Sequence, residues 1–405
     1  MPVFDQGYQH WSGHLAGHGW RWLVITREGV RAQLKNKVVR ILLLLAWLPA
    51  LLLVAALAVW GLVENKSQTV TSWLAQIPFL ADIVADPVTF RRPAWTVAYS
   101  YFFAFETFFI MILVLAVGPG LISRDLRFNA LPLYFSRPLS RLDYFVGKLG
   151  IIVALVAAVS VVPALLAYVM GVAFSLDVKV IRDTYPLALA SIVHGLIIAI
   201  STGALMLAMS SLSRRSLLVG IAWFGFWFVS GMIANVLVGI HEISFQMQLH
   251  REVQEKFREN QPPDADEKLT PREKRRRDER RSAEWQQAFD QAERKMEAAR
   301  AEAAPRNWRP LFSYTQNLFR VGEWLLDTDT AWVEIGTAVE KATQRAQSSS
   351  FMALFTKPPP INERRYADLF VPQYPVWWSL AIVGGLFGLS VLTLMFRVKS
   401  LDRLK

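Results

Sequence analysis

Residues 41–63 read ILLLLAWLPALLLVAALAVWGLV, without one charged side chain. At 1.5 Å per residue, a helix over this stretch covers the ~30 Å hydrocarbon core of a bilayer. Five further stretches meet the same test of length and hydropathy: Val97–Val117, Leu149–Val172, Leu187–Met209, Leu217–Ile240 and Trp377–Phe396. Composition agrees, because the 405 residues are 53% hydrophobic and only 19% charged, with a net charge of +11. Soluble domains carry ~25% charged residues. The sequence therefore predicts an all-α polytopic membrane protein with six transmembrane helices. Pro49 and Pro163 fall inside spans, where neighbouring helices can satisfy the freed carbonyls.

Charge placement orients the spans. Segments 1–40, 118–148, 210–216 and 397–405 hold seventeen Lys and Arg, against five in the alternating short loops 61–96 and 173–186. Positive residues in short loops stay cytoplasmic, so both termini are expected inside, in the plasma membrane of a bacterium. Segment 241–376 balances 22 basic with 22 acidic residues and is expected outside. The basic excess is then a topology signal, and no nucleic-acid partner is needed to explain it. Trp60, Trp95, Tyr99, Tyr185, Tyr374, Trp377 and Trp378 fall at the outer ends of the spans, as an aromatic belt would. The first 18 residues have neither a basic start nor an apolar core, so no cleavable signal peptide is expected.

Four regions follow: a cytoplasmic segment 1–40, spans one to five over 41–240, an extracytoplasmic domain 241–376, and the sixth span with its tail over 377–405. Within the third region, Thr270-Pro271-Arg272-Glu273 is a helix start, and the next breaker is Pro305. Trp285, Phe289, Ala292, Met296 and Ala299 recur at spacings of four and three, a coiled-coil-like seam. A preceding helix over about Ile243–Arg258 makes a helical hairpin. The run KRRRDERR at 274–281 reads as a solvated helix face, since acids interrupt it. Residues 308–356 mix aromatic and polar positions and are expected to pack the hairpin back onto the membrane surface.

Much chemistry is absent. With no cysteine there is no disulfide, thiol nucleophile or thiolate metal site. No GxxxxGK[ST], HExxH, GxSxG or GxGxxG occurs. His10, His14 and His18 have helical spacing, but four interleaved glycines make a metal-binding helix a poor reading. No catalytic, cofactor or metal residue is assigned.

Segment 118–148 reads GPGLISRDLRFNALPLYFSRPLSRLDYFVGK. Leu121–Phe128 can form a short amphipathic helix, Pro132 and Pro138 stop it from continuing, and Ser140 with Asp143 can cap the third span. Here the chain resembles the permease subunits of ABC exporters of the second type, through ISRDLR (Ile122–Arg127), LPLY (Leu131–Tyr134), SRPLSR (Ser136–Arg141), and Tyr144 with Gly147-Lys148. Six spans with both termini inside fit that family; the large segment between spans five and six does not come from it. The resemblance implies an ATP-driven exporter whose permease works as a dimer, with a second permease that is identical or homologous. It further implies that this loop is a coupling helix docking on a separate ATPase, present in two copies. ATP and Mg would then sit on the ATPase, with none in this chain. Ser123, Arg124, Asp125, Arg127, Arg137, Pro138, Ser140 and Arg141 are the implied contacts. A basic helix on the inner membrane surface is also implied, and Trp20–Val38 suits it. There Trp20, Leu23, Val24, Val30, Leu34 and Val38 share one arc, with Arg27 and Arg31 snorkelling to lipid phosphates.

Glu106 stands mid-span, where an unpaired carboxylate costs several kcal/mol. His194 and Asn235 are its candidate partners, and the three are candidates for a translocation path. Gly384 and Gly388 form a small-xxx-small pair expected to pack within the chain. Two other functions compete: an ATP-independent secondary transporter, and a membrane scaffold that presents the 241–376 domain to an extracytoplasmic partner.

Overall fold

The computed structural model describes residues 20–77, 80–135, 139–259, 271–348 and 374–399. The described residues are 88% helix, with no strand among them. Among the described residues, six helices are long and apolar enough to cross a membrane: Lys37–Glu64, Arg91–Arg127, Arg141–Ser175, Lys179–Leu212, Ser216–Gln248 and Val376–Arg397. Each expected span lies inside one of them.

Breaks within these spans have local causes. After α1 (Arg21–Leu34), span one divides into α2 (Lys37–Leu45) and α3 (Leu48–Glu64) just ahead of Pro49, which lies in the first turn of α3. Proline there loses no hydrogen bond the helix needs. The short α4 (Gln68–Ala75) and α5 (Ala81–Ala85) lead to span two, formed by α6 (Arg91–Val117) and α7 (Gly120–Arg127). A turn of helix, α8 (Leu131–Phe135), precedes span three. That span divides at Ser160 into α9 (Arg141–Val159) and α10 (Val161–Ser175), because Pro163 has no N–H to offer the Val159 carbonyl. Span four is α11 (Lys179–Leu212). Span five runs through α12 (Ser216–Phe224), a π-helical turn (Gly225–Val229) and α13 (Ser230–Glu259).

The hairpin forms as its seam predicts. Helix α14 (Pro271–Ala303) begins at the expected proline and ends ahead of Pro305; its Thr270 cap lies outside the described residues. Its Ala292 is fully buried between Phe289 and Met296, and Lys295 reaches Glu252 of α13 at 3.5 Å. Trp285 and Ala299 stay exposed, Trp285 stacking on Phe289. The first arm is longer than expected, since α13 continues from span five without a break.

Beyond two 3₁₀ turns (Ala304–Arg306 and Arg309–Phe312) come α15 (Tyr314–Leu326), α16 (Thr328–Ser348) and span six, α17 (Val376–Lys399). Here the structure departs from expectation. α15 does not rest against the end of the bundle; it is inserted beside α11. Tyr314 donates to Ser201 at 3.0 Å, and His194 Nε2 meets the Leu318 carbonyl at 3.2 Å, both partway along span four. A Cβ on Gly322 would fall 2.1 Å from His194 Cε1, so only glycine permits this approach. Irregular backbone at such depth is tolerated where protein surrounds it. Tyr314, Leu318 and Asn317 are accordingly buried, and Ser313 caps α15 through the Gln316 N–H.

Two further expectations are corrected. Trp95 and Tyr99 are core residues, because span two begins at Arg91 and places them a turn or more inside; the Tyr99 hydroxyl donates to the Ala164 carbonyl at 3.0 Å. Gly384 and Gly388 pack against nothing among the described residues, as a Cβ on either would meet no described atom within 4 Å. Helix α1 lies against α9, where the Thr26 hydroxyl donates to the Gly147 carbonyl at 3.0 Å; Trp20, Leu23 and Val24 remain exposed on its other side.

Candidate functional site

The end of the bundle carrying residues 118–148 is built on a buried staple. Lys148 Nζ lies 2.7 Å from Asp125, and the Tyr144 hydroxyl donates to the same carboxylate at 2.7 Å. Lys148 sits over the rings of Tyr134 and Tyr144 at 5.6 and 5.4 Å, and those rings meet edge to face. Burial and the Asp125 charge push the Tyr134 phenol above its ordinary range. A cation closed between two aromatic faces and a carboxylate is held by charge and quadrupole together. The cluster ties α7 and α8 to α9.

A second staple fixes α7 to span four. The Ser210 hydroxyl accepts from the N–H groups of Ile122 and Ser123 at 3.1 and 3.0 Å and donates to the Pro119 carbonyl at 2.9 Å. The Ser123 hydroxyl also donates to Pro119. Asn129 then reverses the chain with φ 50°, a left-handed position that asparagine tolerates better than most residues. At Ser140 the expected capping box is complete: its side chain accepts the Asp143 N–H at 3.0 Å, and Asp143 accepts the Ser140 N–H at 3.0 Å.

These contacts sort the implied docking residues. Ser123 and Asp125 face inward and hold the loop in shape. Arg124 and Arg127 face outward, and Arg141 stands half-exposed at the start of α9. Arg137 and Pro138 lie outside the described residues. Three large apolar side chains missing from the expected set join the outward group: Phe128, Leu133 and Leu142, each more than 70% exposed. Arg214 and Arg215, exposed in the turn between α11 and α12, belong to the same end, as does Arg397, which donates to the Leu212 carbonyl at 3.1 Å. The result is a basic surface with apolar knobs on a stapled scaffold. Monomeric proteins seldom expose such residues together unless something covers them.

The mid-span candidates do not converge in this way. Glu106 is fully buried on α6, and neither carboxyl oxygen has a hydrogen-bond partner among the described residues. His194 is buried nearby, its ring 4.6 Å from that of Phe103, but it turns Nε2 to the Leu318 carbonyl. Asn235 is exposed on α13. Neither expected partner therefore pairs with Glu106. His10, His14 and His18 lie outside the described residues.

The opposite end is cross-linked by ion pairs. Arg91, 2% exposed, makes two bonds to Glu64 at 2.6 and 3.1 Å, one to Asp177 at 3.0 Å and one to Asp183 at 2.9 Å. Glu64 also accepts from Trp60 Nε1 and from the Ser175 hydroxyl. One guanidinium thus joins the ends of the first four spans. The Lys179 N–H, then Arg91, holds the Asp177 carboxyl below the usual range. A smaller group ties α15, α16 and span six: Arg320 Nε donates to the Tyr374 carbonyl at 3.1 Å, and its other nitrogens face Glu323 and Asp329 at 3.4 Å. Sequence reading missed both groups. Their members lie as far apart as Glu64 and Asp183, 119 residues along the chain, and charge counts along loops carry no pairing information.

No protein-family model, no characterised protein and no solved structure matches the chain.

Proposed function

We propose that the chain is the membrane-embedded permease subunit of an ATP-driven ABC exporter of the second type. In this reading it works as a dimer in a bacterial inner membrane, with both termini inside and the α13–α14 hairpin outside. A separate ATPase hydrolyses ATP and docks on the 118–148 end. The observation that carries the reading is the character of that end. Arg124 and Arg127 stand beside Phe128, Leu133 and Leu142 on a segment fixed by Asp125–Lys148 and by Ser210. A loop that only joined two spans would gain nothing from being rigid, basic and apolar on its open side. A loop that must pass movement between two proteins needs all three. Rigid staples transmit displacement, apolar knobs fill a partner's groove, and arginines select an acidic rim. The motif residues support the same reading, since Asp125, Tyr134, Tyr144 and Lys148 are the residues that build the scaffold.

The test is co-purification. The native complex should yield an ATPase with the chain. Arg124→Glu with Arg127→Glu should release it while leaving the chain folded, because both side chains are exposed. Retention of the ATPase by that double variant, or ATP hydrolysis by the pure single chain, would overturn the proposal.

A further inference from the structure

The Arg320 cluster joins three elements, and α16 is further tied to α15 by the Thr328 hydroxyl, which donates to the Glu323 carbonyl at 3.1 Å. α15 supplies Arg320 and Glu323, α16 supplies Asp329, and the residue ahead of span six supplies the Tyr374 carbonyl. Arg320 is buried, whereas the two carboxylates are partly open to solvent. One cation thus faces two acids in a partly desolvated place, an arrangement one negative charge too many when both are ionised. We propose that this cluster is a proton-sensitive clasp: with Glu323 protonated it holds the inserted helix α15 to the start of span six, and loss of that proton loosens the hold.

The charged and titratable groups around Glu323 define the balance. On its own helix is Arg320; from α16 comes Asp329; from the start of span six comes Tyr374. Asp327, in the turn between α15 and α16, faces Asp329 and is itself paired with Arg92 of α6 at 2.9 Å. Burial, opposed by Arg320 and aided by Asp329, pushes the Glu323 carboxyl up to about 7. Burial likewise raises Asp329. A carboxyl raised in the closed form binds its proton more tightly there than when opened to water, where it returns to ~4.3. Closure is therefore favoured at low pH, and opening gains as pH rises through 7. With those two values, the opening constant grows about tenfold between pH 6 and pH 8 and then levels off.

Ser379, one turn into span six and fully buried, reports the opening. In full-length protein in lipid nanodiscs, Ser379→Cys is the sole cysteine, and its alkylation rate is compared with that of Ala283→Cys, exposed on α14. This ratio cancels the pH dependence of the thiol itself. The ratio should rise about tenfold from pH 6 to pH 8 with Glu323 present. With Glu323→Gln it should stay flat. Asp329→Asn leaves Arg320 with one carboxylate, so the same rise should move to lower pH. A flat ratio with Glu323 present, an equal rise in Glu323→Gln, or an unmoved midpoint in Asp329→Asn would each overturn the clasp.

Discussion

Replacing Arg91 by methionine removes the guanidinium that bonds Glu64, Asp177 and Asp183 while keeping most of its aliphatic bulk. The cost falls mainly on Glu64, whose side chain is 3% exposed and loses both guanidinium bonds. Breaking a buried pair by deleting one partner costs ~3–5 kcal/mol, because the remaining charge stays desolvated. Two features pull this toward the lower end. Asp177 and Asp183 are about two-fifths exposed and rehydrate, and Glu64 keeps its bonds from Trp60 and Ser175. A loss of about 3 kcal/mol follows, or roughly 150-fold in the folding equilibrium. Reversible unfolding by SDS in mixed micelles measures it. Arg91→Met with Glu64→Gln leaves no orphaned carboxylate at the buried position, so the double variant should regain at least half of the loss. A single variant costing under ~0.5 kcal/mol, or a double variant as unstable as the single, would refute the claim that Arg91 acts by neutralising Glu64.

Two other predictions concern topology and the buried acid. In this cysteine-free chain, single cysteines at Leu176 and Ala283 should label with an impermeant thiol reagent in intact cells, and one at Phe128 should not; labelling at position 128 would reverse the proposed orientation. Leu176 is the better reporter for its loop, because the neighbouring Ser175 is buried against Glu64. Glu106→Gln keeps shape and hydrogen-bonding capacity while removing charge change. If Glu106 takes up or loses charge during turnover, the variant should assemble normally yet lose substrate-stimulated ATPase activity in the reconstituted complex, and wild-type turnover would assign Glu106 to packing alone.

Local signals carried well from sequence to structure. The six spans, the α14 start at Pro271, the capping box at Ser140 and the Phe289–Ala292–Met296 seam each depend on residues within a few positions of one another. Hydropathy and capping encode exactly that range, so they were legible. What failed to show depends on distance along the chain. Nothing around Tyr314 announces that it reaches Ser201, because an amphipathic helix against a membrane surface and one inserted among spans share the same alternation of apolar and polar residues. No local signal marks Gly322, and only His194 opposite it explains the missing side chain. At the 118–148 end the arginines were visible, but the division between inward Asp125 and outward Arg124 required the position of Lys148. Phe128, Leu133 and Leu142 look like core residues until the fold leaves them uncovered.

The inserted position of α15 also bears on how the chain is made. His194 and Ser201 meet their partners on α15 across 124 and 113 residues. At ~5–20 residues per second, span four waits on the order of ten seconds in the membrane before Leu318 and Tyr314 are synthesised. During that interval two polar side chains stand uncovered on an apolar helix, and the bundle has an open seam. A late step of biogenesis is thus the return of α15 into early spans, from the side that span five has already crossed to. A ribosome stalled before Tyr314 would leave a six-span protein as five spans with a polar stripe, a form that membrane quality control can recognise by what is missing from span four.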